Sequence, residues 1–132
     1  MNIFIDTSGF LAVLNADDSQ HPKAKESWDS ILQSDVRLVT TNYVLVETYA
    51  LLQSRLGMPA VKLFADDIAP ILHVEWVTPE WHKTAMAVLL ASSRRKLSFV
   101  DCVSFRVMKD LDIKDAFTLD QHFKEQGFLC IP

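Results

Sequence analysis

Short apolar runs alternate with stretches of helical periodicity along the whole chain, and that alternation constrains the fold more than any other feature. Asn2 to Asp6, Arg37 to Thr41, His73 to Val77, Ala116 to Thr118 and Phe128 to Ile131 read as brief strands. Thr7-Ser8-Gly9 supplies turn or cap chemistry before the apolar Phe10 to Leu14, and His21 to Ser34 places Ala24, Trp28, Ile31 and Leu32 at helical intervals. Asn42 to Leu56 forms a helix closed by Gly57, and Pro59 opens another that reaches about Leu72, with Pro70 at its frayed end. Pro79 opens a helix to about Ser93, Ser98 starts one to Leu111, and His122 with Phe123 falls in a short helix ended by Gly127. Strands separated by helices pair in parallel, because each crossover needs a helix to return the chain. The expected fold class is α/β: a three-layer α/β/α sandwich around a central parallel sheet of four to five strands.

At 132 residues the chain suffices for one domain that buries roughly two-thirds of its unfolded surface. No linker, repeat or low-complexity tract divides it. The amino terminus meets Asp6 before any apolar stretch could serve as a signal peptide, and no apolar run approaches the ~20 residues of a membrane span, so a cytoplasmic protein is expected. Cys102 and Cys130 fit neither a disulfide framework nor a zinc spacing and are expected to be small core residues.

Four acids stand where strands give way to helices or helices begin: Asp6, Glu47, Asp101 and Asp120. In an open α/β sheet such places gather at the carboxyl ends of the strands, where ligands bind. Asp6 and Asp120 each admit a second reading as a helix N-cap. Ser98-Phe99-Val100-Asp101 is spaced like a capping box with Asp in place of the usual Glu or Gln. Glu47 has no such excuse. It lies about five residues into its helix, with Tyr43, Val44, Ala50 and Leu51 three and four positions away, where a charge is costly unless paired or metal-bound. A salt bridge to a distant Lys or Arg is the remaining alternative.

If the four converge to about 5 Å, each ionised pair repels by roughly 3 kcal/mol at an effective dielectric of ~20. Either protons or a dication must relieve that repulsion, and an all-oxygen site suits Mg²⁺ or Mn²⁺. Such an ion can also polarise a phosphoryl oxygen and lower the pKa of water. The net charge of −4 argues against a nucleic-acid partner at first sight. Setting these four aside from the 17 acids leaves 13, which balances the 13 Lys and Arg, so the surplus can reside in the site itself.

Other chemistries fail on composition and order. With Gly only at 9, 57 and 127, neither a dinucleotide fingerprint nor a phosphate loop is possible. A phospho-acceptor domain would want an acid where Val77-Thr78-Pro79 stands, and an aspartyl-nucleophile phosphatase would want Asp where Ser8 stands. His21, His73, His82 and His122 show no ligand spacing among themselves and read as ordinary polar residues. Trp28, Trp76 and Trp81 read as core or interface. Arg94, Arg95 and Lys96 precede the Ser98 turn and could steer a phosphate chain, or form a solvated basic loop.

The motifs Phe4-Ile5-Asp6-Thr7-Ser8, Asn42-Tyr43-Val44-Leu45-Val46-Glu47-Thr48, Leu97-Ser98-Phe99-Val100-Asp101-Cys102 and Phe117-Thr118-Leu119-Asp120-Gln121-His122-Phe123 together resemble a PIN-domain protein of the VapC toxin type. The resemblance covers the whole chain and implies a single PIN-like nuclease domain over residues 1–132. It implies a metal-dependent ribonuclease with Asp6, Glu47, Asp101 and Asp120 as both catalytic and metal-binding residues. Asp6 and Asp101 would ligate the principal metal, with Glu47 and Asp120 completing the site. It further implies Mg²⁺ or Mn²⁺, commonly a homodimer, and often a small antitoxin that blocks the site. Thr7, Ser8 and Thr118, beside the acids, would orient ligands or water. A non-catalytic RNA-binding module and a protein that acts by sequestering a partner stay open as alternatives.

Overall fold

The computed structural model describes all residues 1–132. Five strands, β1 (Asn2–Ile5), β2 (Arg37–Thr41), β3 (His73–Glu75), β4 (Asp115–Phe117) and β5 (Leu129–Ile131), form one sheet in the order β3-β2-β1-β4-β5. Every adjacent pair is parallel, with Phe4 beside Val39 on one flank and Ala116 on the other. The chain leaves β1 toward β2 and β3, then crosses back to place β4 on the far side of β1. That reversal makes the carboxyl ends of β1 and β4 the switch point, where a crevice opens between neighbouring connections.

Helices cover both faces, as alternation requires. Ile5 and Phe117 are register partners and share a face. On it Phe117 meets Trp28 of α2 (His21–Leu32), which meets Phe10 of α1 (Thr7–Leu14), which in turn meets Phe64. Phe4 points the other way, against Phe123 of α7 (Gln121–Glu125), which stacks edge-on with Phe105 of α6 (Phe99–Asp110). The helix α5 (Pro79–Ser92) lies along α6, and α3 (Asn42–Arg55) packs against α1. No helix is long and apolar enough to cross a membrane.

Three local findings depart from the sequence pattern. The helix expected from Pro59 to Leu72 begins as α4 (Met58–Leu63), widens into a π turn over Phe64–Ile68 and tightens into a 3₁₀ turn over Ala69–Ile71. Pro70 has no N–H to continue the α ladder, and the Ala69 N–H reaches back five residues to the Phe64 carbonyl instead. Gly9 is no turn residue but lies inside α1, where a Cβ would sit 2.4 Å from the Phe117 ring and 2.6 Å from its carbonyl oxygen. Its missing side chain lets α1 lie directly on β4. Cys102 is a core residue, whereas Cys130 is only partly buried on the edge strand β5.

Candidate metal centre at the switch point

The cavity at the carboxyl edge of the sheet has a volume of about 270 Å³ and is lined by Asp6, Glu47, Asp101, Asp120, Ser8 and Lys96 among others. A larger cavity of about 660 Å³ lies at the opposite edge around Met1, Arg37 and His73, with Asp35 as its one acid. Chemistry rather than size singles out the smaller one.

Asp6 occupies the N-cap position of α1, yet its side chain makes no cap hydrogen bond. Its Oδ2 instead accepts from Ser8 Oγ at 2.9 Å and Thr118 Oγ1 at 3.1 Å. Each hydroxyl also accepts a backbone N–H, Ser8 from Leu119 at 2.9 Å and Thr118 from Asp120 at 3.0 Å. A hydroxyl has one proton to give, so with both directed at Asp6 the 3.0 Å contact between the hydroxyls is packing rather than a further bond. Asp6 is 4% exposed. Burial raises its pKa from 3.8 to about 6, opposed by the Ser8 and Thr118 hydroxyls and the Thr7 amide and reinforced by the charge of Asp120.

Asp101 does form the capping box read from the sequence. Its N–H donates to Ser98 Oγ at 3.0 Å, while its Oδ2 accepts from the Ser98 N–H at a long 3.4 Å. The short Asp side chain reaches back poorly, as its length dictates. The residue is 7% exposed and its pKa is pushed to about 7, first by burial and then by the charges of Asp6 and Asp120. Asp120 caps α7, its Oδ1 accepting from the His122 N–H at 2.9 Å. Capping and convergence are therefore compatible at both residues.

Glu47 lines the same cavity, but the expected burial cost is absent. Val44, Thr48 and Leu52 form the inward row of α3, while Val46 and Ala50 are exposed and Glu47 is only partly buried. It makes no ion pair or side-chain hydrogen bond, so the salt-bridge alternative is absent too. The cost of placing carboxylates here falls on Asp6 and Asp101, through burial first and neighbouring charge second.

The tightest group in the site includes a residue that sequence reasoning set aside. Asp101, Asp120 and His122 each offer one donor atom, and the three lie within 4.8 Å of one another. Asp6 and Glu47 flank this group rather than joining it. Thr7 lines the same cavity, and its hydroxyl meets Thr48 Oγ1 at 3.1 Å and the Val44 carbonyl at 3.4 Å on α3. Of the basic trio, Arg94 is spent on Glu125 at 3.0 Å and Arg95 is solvated, leaving only Lys96 at the cavity.

The donor set is that of a hard divalent cation. Two buried carboxyls held at raised pKa, with a third acid beside them, are groups whose ionised forms a bound dication would favour.

A family model for the PIN domain matches residues 3–129. The 23S rRNA-specific endonuclease VapC20 of Mycobacterium tuberculosis is 38% identical over 128 residues, 96% of this chain and 95% of that protein. The crystal structure of M. tuberculosis VapC20, described as a Sarcin-Ricin loop cleaving toxin, matches with a TM-score of 0.86 at 36% identity, over 96% of each chain. FitAcB from Neisseria gonorrhoeae matches with a TM-score of 0.69 at 13% identity, covering 100% of this chain and 97% of that one, a likeness of fold alone.

Proposed function

The chain belongs to the PIN-domain family, and from that premise we propose that it is a divalent-metal-dependent endoribonuclease, the toxin of a toxin–antitoxin pair working in the cytoplasm. The observation that carries the reading is the meeting of Asp6, Asp101, Asp120 and Glu47 on one cavity at the switch point. Their chemistry fits Mg²⁺ or Mn²⁺, which when bound polarises a phosphoryl oxygen and eases deprotonation of water.

The chain's own residues have separable tasks in this proposal. Asp6, Asp101 and Asp120 hold the ion, and Glu47 completes the site from its more open side. Ser8 and Thr118 fix Asp6 by its Oδ2, which leaves Oδ1 without a side-chain donor and free for the cavity. Lys96 at the mouth attracts the phosphate backbone of the incoming strand. The 38% identity to the 23S rRNA-specific VapC20, over 96% of this chain, supports ribosomal RNA as the substrate class. A small antitoxin protein is the proposed partner, and a homodimer the proposed assembly, to be read from a sizing column.

The test is incubation of purified protein with ribosomes, with and without Mg²⁺ or Mn²⁺, followed by mapping of RNA 5′ ends. The expected result is a discrete new end with the parent and metal, and none with chelator or with Asp101→Asn. Fragments from the variant at the parental rate would refute the assignment. Retained RNA without any cut would favour a non-catalytic binding module instead.

A further inference from the structure

His122 stands at the metal centre with one ring nitrogen unaccounted for. Its Nδ1 is buried and has no hydrogen-bond partner, although it lies 3.1 Å from Asp120 Oδ1 and 3.6 Å from Asp101 Oδ2. Asp101 lies beyond hydrogen-bonding distance, and Asp120, though within it, makes no hydrogen bond to the ring nitrogen. The other three histidines are all engaged through ring nitrogens: His21 with the Ala12 carbonyl at 2.8 Å, His73 with Arg37 and Glu75, and His82 with the Tyr43 hydroxyl at 2.6 Å. His122 alone holds a buried nitrogen against two carboxylates with no bond to show for it.

The spacing has a simple chemical reading. Donors about 2.1 Å from a shared ion are separated by about 3.0 Å at adjacent octahedral corners and about 3.4 Å at tetrahedral ones. The 3.1 Å from Nδ1 to Asp120 Oδ1 is close to an octahedral edge, the 3.6 Å to Asp101 Oδ2 is a few tenths of an ångström longer, and donor atoms of all three residues lie within 4.8 Å of one another. α7 enforces the arrangement, because the Asp120 carboxylate that caps its first turn also sets where a side chain two residues later must lie.

We propose that His122 Nδ1 is a metal ligand beside Asp101 and Asp120, and that this nitrogen shifts the site's preference from Mg²⁺ toward Mn²⁺. The inference rests on reading this cavity as a metal centre. Imidazole binds first-row transition ions well, whereas Mg²⁺ prefers oxygen and water, so one nitrogen in the set discriminates between the two.

The test is pulsed electron paramagnetic resonance on the Mn²⁺-loaded full chain, which reports directly whether a ¹⁴N nucleus is bonded to the ion. The parent should show ¹⁴N coupling. His122→Phe, which keeps the ring volume, and His122→Gln, which keeps a polar group, should both lose it. Calorimetric titrations with MnCl₂ and MgCl₂ should show the Mn²⁺ Kd weakened about tenfold or more in both variants and the Mg²⁺ Kd much less, so that the preference collapses. Mn²⁺ bound to the parent without ¹⁴N coupling would overturn the ligand assignment and leave the metal-nuclease reading standing. No binding of either ion to the parent would overturn both. Because the parent spectrum alone decides ligation, poor folding of a variant cannot rescue the proposal.

Discussion

Asp6→Asn should make the metal-free protein more stable while abolishing cleavage. In the folded chain the Asp6 carboxyl has a pKa of about 6 against an ordinary 3.8, with burial as the largest cause. A raised acid pKa means that the unfolded chain loses its proton first as pH rises. Stability therefore falls between about pH 4 and pH 6, and the full cost is present above that. The gap is about two tenfold steps at about 1.4 kcal/mol each, so ionising Asp6 costs about 3 kcal/mol at pH 8 and about 0.5 kcal/mol at pH 4. Asn removes the charge yet keeps an oxygen to accept from Ser8 and Thr118. At pH 8 in chelator, thermal unfolding followed by circular dichroism should place the variant about 10 °C above the parent, shrinking to a degree or two at pH 4. Mn²⁺ should reverse the order, raising the parent's midpoint and leaving the variant's nearly unchanged. A variant no more stable than the parent at pH 8, or a gain of equal size at both pH values, would refute the assignment of electrostatic cost to this carboxyl.

Metal binding should release protons, since Asp6 and Asp101 are held at about 6 and about 7. Calorimetry at pH 6 in buffers of differing ionisation enthalpy should detect the release, and apparent affinity should fall as pH drops below about 7, by up to about tenfold per pH unit for each proton displaced. Thr118→Val removes one donor to Asp6 Oδ2. The acid limb of the cleavage pH profile should move upward, and an unmoved limb would show that the hydroxyl does not tune Asp6. Gly9→Ala drives a methyl into Phe117 and its carbonyl, so urea unfolding should report a loss of about 1–3 kcal/mol or more. A neutral result there would mean that α1 can lift from β4 freely.

Capping and catalysis compete as readings of the same acid in a sequence, and the structure resolves them differently at each position. Asp6 does not cap, Asp120 caps and still faces the cavity, and Asp101 does both jobs imperfectly with one short side chain. Glu47 is the most anomalous of the four by its helical neighbours alone. Of Tyr43, Val44, Ala50 and Leu51, however, only Val44 is fully buried, and Ala50 faces solvent. His122 has no ligand spacing to the other three histidines, so its partners lie elsewhere in the chain. The pattern Asp120-Gln121-His122, two potential donors two residues apart at a helix start, was the available signal.

Periodicity and punctuation depend on each residue and its near neighbours, and for that reason the strands, helices and parallel sheet could be read directly from the chain, along with the places where acids interrupt it. Which of those acids would be buried, and which side chains would stand beside them, depends on strand order. Placing β4 against β1, with β2 on the other flank, sets Thr118 against Asp6 across 112 positions of sequence. The raised carboxyl pKa values, the idle Nδ1 of His122 and the diversion of Arg94 to Glu125 all follow from such long-range neighbours. Desolvation and Coulomb energy are functions of distance in space, and only the folded packing fixes those distances.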